Sequence, residues 1–398
     1  MKWTKLSLVA ALAVSSAVAG GDIAPVEPVV EAPVVEAASA TTFGGKLTGY
    51  YITDDSEYDP TGSGYPDDMF GDHAQLAFGA TLDVSHKFTD WLTANFSAVG
   101  YINTMNADTW GYFEDGDKRG AFFQIANLTA TYEDTTLVAG RQLLGTPMLQ
   151  GYDWLLAPGA FEAYTVMNSS IENVTLVGSY VTKHRANNSG EFGGSLDGDN
   201  WTIGAAYDDK TISGSVWYYN IDAGAEAGNP DKYTQVYADL GYDFGSFKLE
   251  GQYVDTSYDT AGVTDATAYG VMVSTSVAGF DLSAAYNSLN DNATGFVGWN
   301  SLYTNQWNST VANQLASGED IDAFKVAAAT TIMDIATEVS YADYDNDSYE
   351  FDVVLGYDIT DAIDAGIVYT NTESTVWTDI NDNPIDVNQL ELYVNYKF

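Results

Sequence analysis

Past residue 40, apolar and polar side chains alternate one by one in segment after segment. The last segment is the clearest. Leu390, Leu392, Val394, Tyr396 and Phe398 fall on one face of an extended chain, and Gln389, Glu391, Tyr393, Asn395 and Lys397 on the other. Leu76, Phe78, Ala80, Leu82 and Val84 oppose Gln75, Thr81 and Asp83. Val236, Ala238, Leu240, Tyr242 and Phe244 oppose Gln235, Tyr237 and Asp239. Phe247, Leu249 and Tyr253 oppose Lys248, Glu250 and Gln252, and Phe351, Val353, Leu355 and Tyr357 oppose Glu350 and Asp352. A period of two marks a strand whose two faces meet different surroundings. No run of about 18 apolar residues follows residue 40, so no transmembrane helix is predicted.

The pattern predicts strands near 43–52, 73–85, 91–103, 121–132, 135–141, 160–169, 172–183, 199–207, 210–221, 233–244, 245–255, 265–277, 278–288, 322–331, 333–343, 347–357, 362–372 and 387–398. An even number, about 18, is what a bacterial single-chain barrel requires. Connections after even-numbered strands are short: 86–90, 208–209, 245–246, 278–279 and 360–361. Those after odd-numbered strands are mostly long: 53–72, 104–120, 142–159, 184–198, 289–321 and 373–386. Sorting by parity puts short turns on one rim and long loops on the other, which a sandwich does not do. The apolar faces often end in aromatics, and the chain ends on Phe398 within a strand. That ending resembles the C-terminal signal read by the barrel assembly machinery. These features predict an all-β fold, a transmembrane antiparallel β-barrel of about 18 strands with short periplasmic turns and long extracellular loops. The expected setting is the outer membrane of a Gram-negative bacterium, in contact with lipid and lipopolysaccharide, with both termini periplasmic.

The start of the chain has a different character. Lys2 and Lys5 precede an apolar stretch, 6–14, too short to span a bilayer, and Ala17-Val18-Ala19 offers a cleavage site. Residues 1–19 are read as a signal peptide. Residues 20–40, with Pro25, Glu27, Pro28, Glu31 and Pro33, have no period and read as an extended periplasmic tether. The barrel domain is placed at 41–398.

Composition agrees with a strand-rich, water-wetted body. The chain of 398 residues holds 28 tyrosines, 9 tryptophans and no cysteine, so neither a disulfide framework nor a cysteine zinc site is available. Acidic residues number 56 against 14 basic ones, a formal charge of −42. With no basic patch to neutralise phosphates, nucleic acid is excluded as a partner. In a channel the same excess predicts cation preference, because acidic groups at a pore mouth concentrate cations.

Enzymatic chemistry finds no support: G-x-S-x-G, H-E-x-x-H and phosphate-binding loops are all missing from the sequence. The three histidines, His73, His86 and His184, fall near loops or strand ends. No resident cofactor is expected. Asp343, Asp345 and Asp347 alternate like calcium-loop ligands, but the glycine and glutamate such a loop needs are missing. A solvated turn is the simpler reading. Calcium or magnesium on these acidic loops, bridging to lipopolysaccharide phosphate, is the alternative. Trp299 and Trp307 lie in the longest loop, which would cap the mouth or mediate contacts; Trp91 reads as a girdle residue.

One stretch carries a family resemblance. Ala139-Gly140-Arg141-Gln142, Thr146-Pro147, Asp153 and Pro158-Gly159-Ala160-Phe161-Glu162 stand in the order and spacing of the OprD-type porins, which include the major outer-membrane proteins of Campylobacter relatives. The resemblance implies 18 strands, a homotrimer and a third loop folded into the pore. It places Arg141, Gln142, Pro147, Asp153, Phe161 and Glu162 at a constriction, where opposed charges would orient dipolar solutes. Arg141 could instead pair with Asp153 or Glu162 simply to fix the loop. The family's arginine two residues after the acid is Leu155 here, so the basic side of the pore is thinner. The function implied is passive diffusion of small hydrophilic solutes and ions. A substrate-selective channel of the same fold, or a structural or adhesive barrel with a blocked lumen, are the alternatives.

Overall fold

The computed structural model describes residues 40–55, 69–71, 74–105, 119–152, 156–187, 189–190, 192, 194–196, 198–222, 232–308, 320–378 and 384–398. The leader and all but the last residue of the tether lie outside them, as does Asp153.

Eighteen strands form one closed wall: β1 (Thr41–Asp54), β2 (Gln75–Thr89), β3 (Leu92–Met105), β4 (Arg119–Tyr132), β5 (Thr135–Gln142), β6 (Ala160–Ile171), β7 (Val174–Arg185), β8 (Trp201–Asp208), β9 (Ile212–Ile221), β10 (Tyr233–Asp243), β11 (Lys248–Tyr258), β12 (Ala266–Val277), β13 (Phe280–Asn290), β14 (Ile321–Ile332), β15 (Ile335–Tyr344), β16 (Ser348–Thr360), β17 (Ile363–Thr378) and β18 (Pro384–Lys397). Each pairs antiparallel with its sequence neighbours, and β1 closes on β18 in a register that sets Lys46 opposite Lys397 and Asp54 opposite Gln389. Closure leaves no free edge, so every backbone group in the belt can bond within the sheet.

Alternation positions the faces, and the sense of burial is inverted relative to a water-soluble protein. On β10, Gln235 is 1 % exposed while Leu240 is 64 % exposed. Along β18, Glu391 is buried and Leu392, Val394 and Tyr396 face outward. Apolar side chains outside and polar ones inside suit hydrocarbon around the wall and a wet interior. Tight turns link the strands at one rim. Met333 and Asp334 both have positive φ (51° and 66°), as do Ala278 and Gly279 (53° and 85°), the geometry of two-residue hairpins that match strand twist. On the opposite rim one connection is shorter than parity predicts: Tyr344 and Ser348 are joined by a three-residue turn.

Candidate functional site

Two of the barrel's loops fold into its interior. After β5 the chain turns inward and forms a small hairpin, Gly145–Thr146 against Leu149–Gln150. Val297–Gly298, from the loop between β13 and β14, pairs parallel with Leu149–Gln150 and makes it a three-stranded ribbon. Gly298 has φ +79°, and a Cβ there would strike the Gln150 carbonyl, so only glycine permits this approach. Leu144, Met148, Leu149, Val297 and Leu302 pack on inward Tyr219, Tyr233 and Tyr237 as one buried cluster. Further along the third loop, Leu156 packs with Tyr50, Ile52, Ala77 and Tyr101.

From Ala293 to Asn308 the β13–β14 loop runs around the inner wall as a strap. It meets the strands in turn because each offers a polar side chain inward. Gln235 of β10 donates to the carbonyl of Gly295 (2.9 Å), and Gln252 of β11 to that of Ser301 (3.0 Å). Asn287 of β13 accepts from the Thr304 amide (3.1 Å), and Lys325 of β14 donates to the Asn305 carbonyl (2.5 Å). Ser340 of β15 donates to the Gln306 side chain (3.0 Å). On β16, Asp352 Oδ2 accepts the Trp307 amide (3.1 Å) and Glu350 Oε1 the Asn308 amide (2.6 Å). The Trp307 indole Nε1 reaches Glu391 Oε1 on β18 (2.8 Å), and Asn308 bonds to Thr370 (2.8 Å) and Gln389 (3.3 Å). Hydrogen bonds to charged groups contribute about 1.5–3 kcal/mol each, so the carboxylate ties dominate this attachment. Burial of the strap's own Tyr303 pushes its phenol well above its ordinary range.

The wall that receives the strap is acidic. Glu338, Glu350, Asp352 and Glu391 point inward with Lys325 among them. Glu338 Oε2, Glu350 Oε2 and Asp352 Oδ1 are buried and have no hydrogen-bond partner among the described residues.

The residues singled out from sequence divide between the wall and the inward hairpin. Arg141 ends β5 in the wall itself: its Nε is 3.5 Å from Glu162, its NH1 donates to the Phe123 carbonyl (2.8 Å), and its guanidinium lies over Phe192 (4.2 Å). Glu162 also faces Lys183 (3.9 Å). Alternation puts these three opposite to Gln142 and Phe161, which are buried on the inner side. Arg141 and Glu162 thus fasten the strand end from which the third loop departs. Gln142 is tied to the Ala163 carbonyl (2.9 Å), and Phe161 packs on His184 (4.8 Å between rings). Pro147 sits in the inward hairpin, where its carbonyl takes the Ser301 amide (2.8 Å). Phe398 closes the seam, exchanging backbone bonds with Gly45 (3.0 and 3.1 Å).

Asp343 and Asp345 do not converge. Asp343 accepts from the Tyr341 hydroxyl (3.1 Å), Asp345 from the Asp322 amide (3.0 Å), and Asp347 occupies a positive-φ turn position. Among the described residues no three acidic or histidine side chains are grouped to hold a metal ion. The strap is what sequence reasoning missed. Its partners were legible as the polar faces of their strands, but the loop of Trp299 and Trp307 is expected from sequence to cap the mouth or mediate contacts, and both side chains lie inside the barrel.

A closed antiparallel wall with an apolar outer belt, a polar interior and two loops laid across that interior defines a transmembrane channel of the outer-membrane type. The chain belongs to the OprD family of outer membrane porins, whose family model matches residues 102–348. Solved structures with the same fold include Pseudomonas aeruginosa OpdK with vanillate (15 % identity, TM-score 0.72, covering 90 % of this chain and 98 % of that one). P. aeruginosa OccK8 (OprE) is similar at 16 % identity and TM-score 0.68, covering 91 % and 99 %. Acinetobacter baumannii OccAB1 follows at 14 % and 0.70, covering 89 % and 96 %. No curated protein matches the sequence. As a porin of this family, the protein resides in the outer membrane and lets small solutes diffuse through its lumen.

Proposed function

We propose that this porin prefers cations, and that the acidic inner wall of β15–β18 is the source of the preference. The observation that carries the reading is the inward placement of Glu338, Glu350, Asp352 and Glu391 with Lys325 as the base among them. Fixed carboxylates beside a narrowed path raise the local cation concentration and repel anions. The protein itself does no covalent chemistry; it is a passive path, assembled as a homotrimer after removal of the leader at residue 19. The reversal potential of purified protein in a planar bilayer across a KCl gradient tests the preference. A potential on the potassium side supports it, and one on the chloride side defeats it.

A selective uptake channel is the second reading. The observation that favours it is the extent of the loop lining: ribbon and strap present backbone and side-chain groups at fixed positions, as recognition requires. Competitive block of the ion current by one class of small carboxylate or amine, and not by neutral sugars of equal size, would establish it.

A further inference from the structure

Three side chains link the inward loops to the barrel's closing seam. Tyr152, on the third loop, lies flat on Trp299 (4.3 Å between rings, 12° between planes). Its hydroxyl donates to the Trp307 carbonyl on the strap (2.9 Å). The Trp307 indole donates to Glu391 on β18 (2.8 Å). Glu391 also receives Gln389 Nε2 (2.6 Å) and the hydroxyl of Tyr50 on β1. At its other end the third loop is anchored by the Met148 amide, which donates to the Tyr219 hydroxyl on β9 (3.2 Å).

The direction of this chain of contacts matters. In a ring of eighteen strands, β9 and β18 stand half the circumference apart. A line from Tyr219 through the third loop to Tyr152, Trp307 and Glu391 is therefore close to a diameter of the barrel. On the β9 side it is backed by the parallel ribbon and the apolar cluster. On the β18 side the third loop meets the strap through the Tyr152–Trp307 hydrogen bond and the Tyr152–Trp299 stack, and the Trp307 indole reaches the seam through one bond to Glu391, while β16 holds the strap backbone independently. Such bonds hold a position without filling volume, and losing one allows the group to move.

We propose that Tyr152, Trp307 and Glu391 form a crossbar that sets the size limit of the pore. The inference rests on the channel reading of the lumen. Tyr152 and Trp307 are the positioning residues: they hold the third loop between its Met148 and Leu156 anchors, and the Trp307 ring on the strap, at a fixed distance from the seam. Glu391, surrounded by three donors, is the anchor.

The test uses full-length protein in proteoliposomes and planar bilayers, with Tyr152→Phe and Trp307→Phe as variants. Each keeps an aromatic ring and deletes one donor. Heat-dependent gel mobility monitors barrel assembly, which a merely structural defect would alter and loss of one tie would not. Swelling rates with sugars of increasing size give the exclusion limit. The expected result is wild-type assembly, a raised unit conductance and a limit shifted to the next larger sugar in each variant. The double variant should add little to either single one, because both cut the same bar. Wild-type conductance and wild-type exclusion in both assembled variants overturn the crossbar while leaving the channel intact. A wild-type protein passing neither ions nor sugars would instead remove the channel reading, and the crossbar with it.

Discussion

Glu350 and Asp352 stand two residues apart on β16 and receive the backbone N–H groups of two consecutive strap residues, Asn308 (2.6 Å) and Trp307 (3.1 Å). One strand thus grips the strap twice with charge-assisted bonds. In the variant Glu350→Gln/Asp352→Asn each bond becomes neutral and loses about half its strength. Open-channel current noise should rise and the cation preference should fall together. Single-channel recording in a KCl gradient measures both; a variant with unchanged noise and unchanged reversal potential would show that this grip holds nothing.

Arg141 pairs with Glu162, one of the two partners its place in the sequence offers. It fastens the end of β5 to Glu162 and to the Phe123 carbonyl. With about a third of each charged side chain exposed, the pair is worth at most ~1 kcal/mol. Arg141→Gln should lower the temperature at which the folded barrel disappears on gels by a few degrees or less, with unit conductance and reversal potential unchanged. A shifted reversal potential would put Arg141 back beside the ion path.

Leu240 is exposed on the outer wall of β10, one outward position in from Tyr242. In water, leucine to arginine at an exposed strand site would cost little. Against hydrocarbon, an arginine near the midplane costs about 2–4 kcal/mol. Leu240→Arg should reduce the fraction folded in lipid bilayers, and the loss should shrink in detergent micelles. Equal folding in both media would speak against a lipid-facing position.

Asp209, in the turn between β8 and β9, accepts the amides of Ile212 (2.7 Å) and Thr211 (2.9 Å) and the Tyr207 hydroxyl (2.9 Å). The backbone donors, Ile212 first, hold its carboxyl below the usual range. A depressed value in the fold means that the turn's stabilisation is complete above the unfolded carboxyl's titration and is lost as pH falls through the folded one. Amide exchange at Thr211 and Ile212, corrected for its intrinsic pH dependence, should stay protected down to about pH 4 and weaken below it. Asp209→Asn should show weakened protection already at neutral pH.

The wall was readable from sequence because a membrane imposes it. Leu392 outside and Glu391 inside follow from the period of two alone, and the closing strand ends at the aromatic that the pattern marks. Loop parity located the two rims for the same reason: antiparallel neighbours force alternate turns to opposite ends. The strap was not readable, since Trp299 and Trp307 lie in a stretch without period whose path is set by partners far away in sequence. Gln235, Gln252 and Glu350 were legible as inward polar side chains, but nothing local names the strap groups they bond to. The Gly140-Arg141-Gln142 motif marked the correct place where the chain turns inward. Motif spacing does not report which side of the wall a strand-end side chain takes, whereas the period of two sets Arg141 on the face of Leu137 and Ala139.

The ties of the Ala293–Asn308 strap to β14–β18 lay it across the inside of the wall, where it narrows the lumen. Replacing residues 299–308 by a short Gly-Ser linker, with β13 and β14 intact, removes the ties to β14–β18 and leaves the wall. Single-channel recording should then give a unit conductance clearly above wild type with reduced cation preference. An assembled variant with wild-type conductance and wild-type reversal potential would contradict the account.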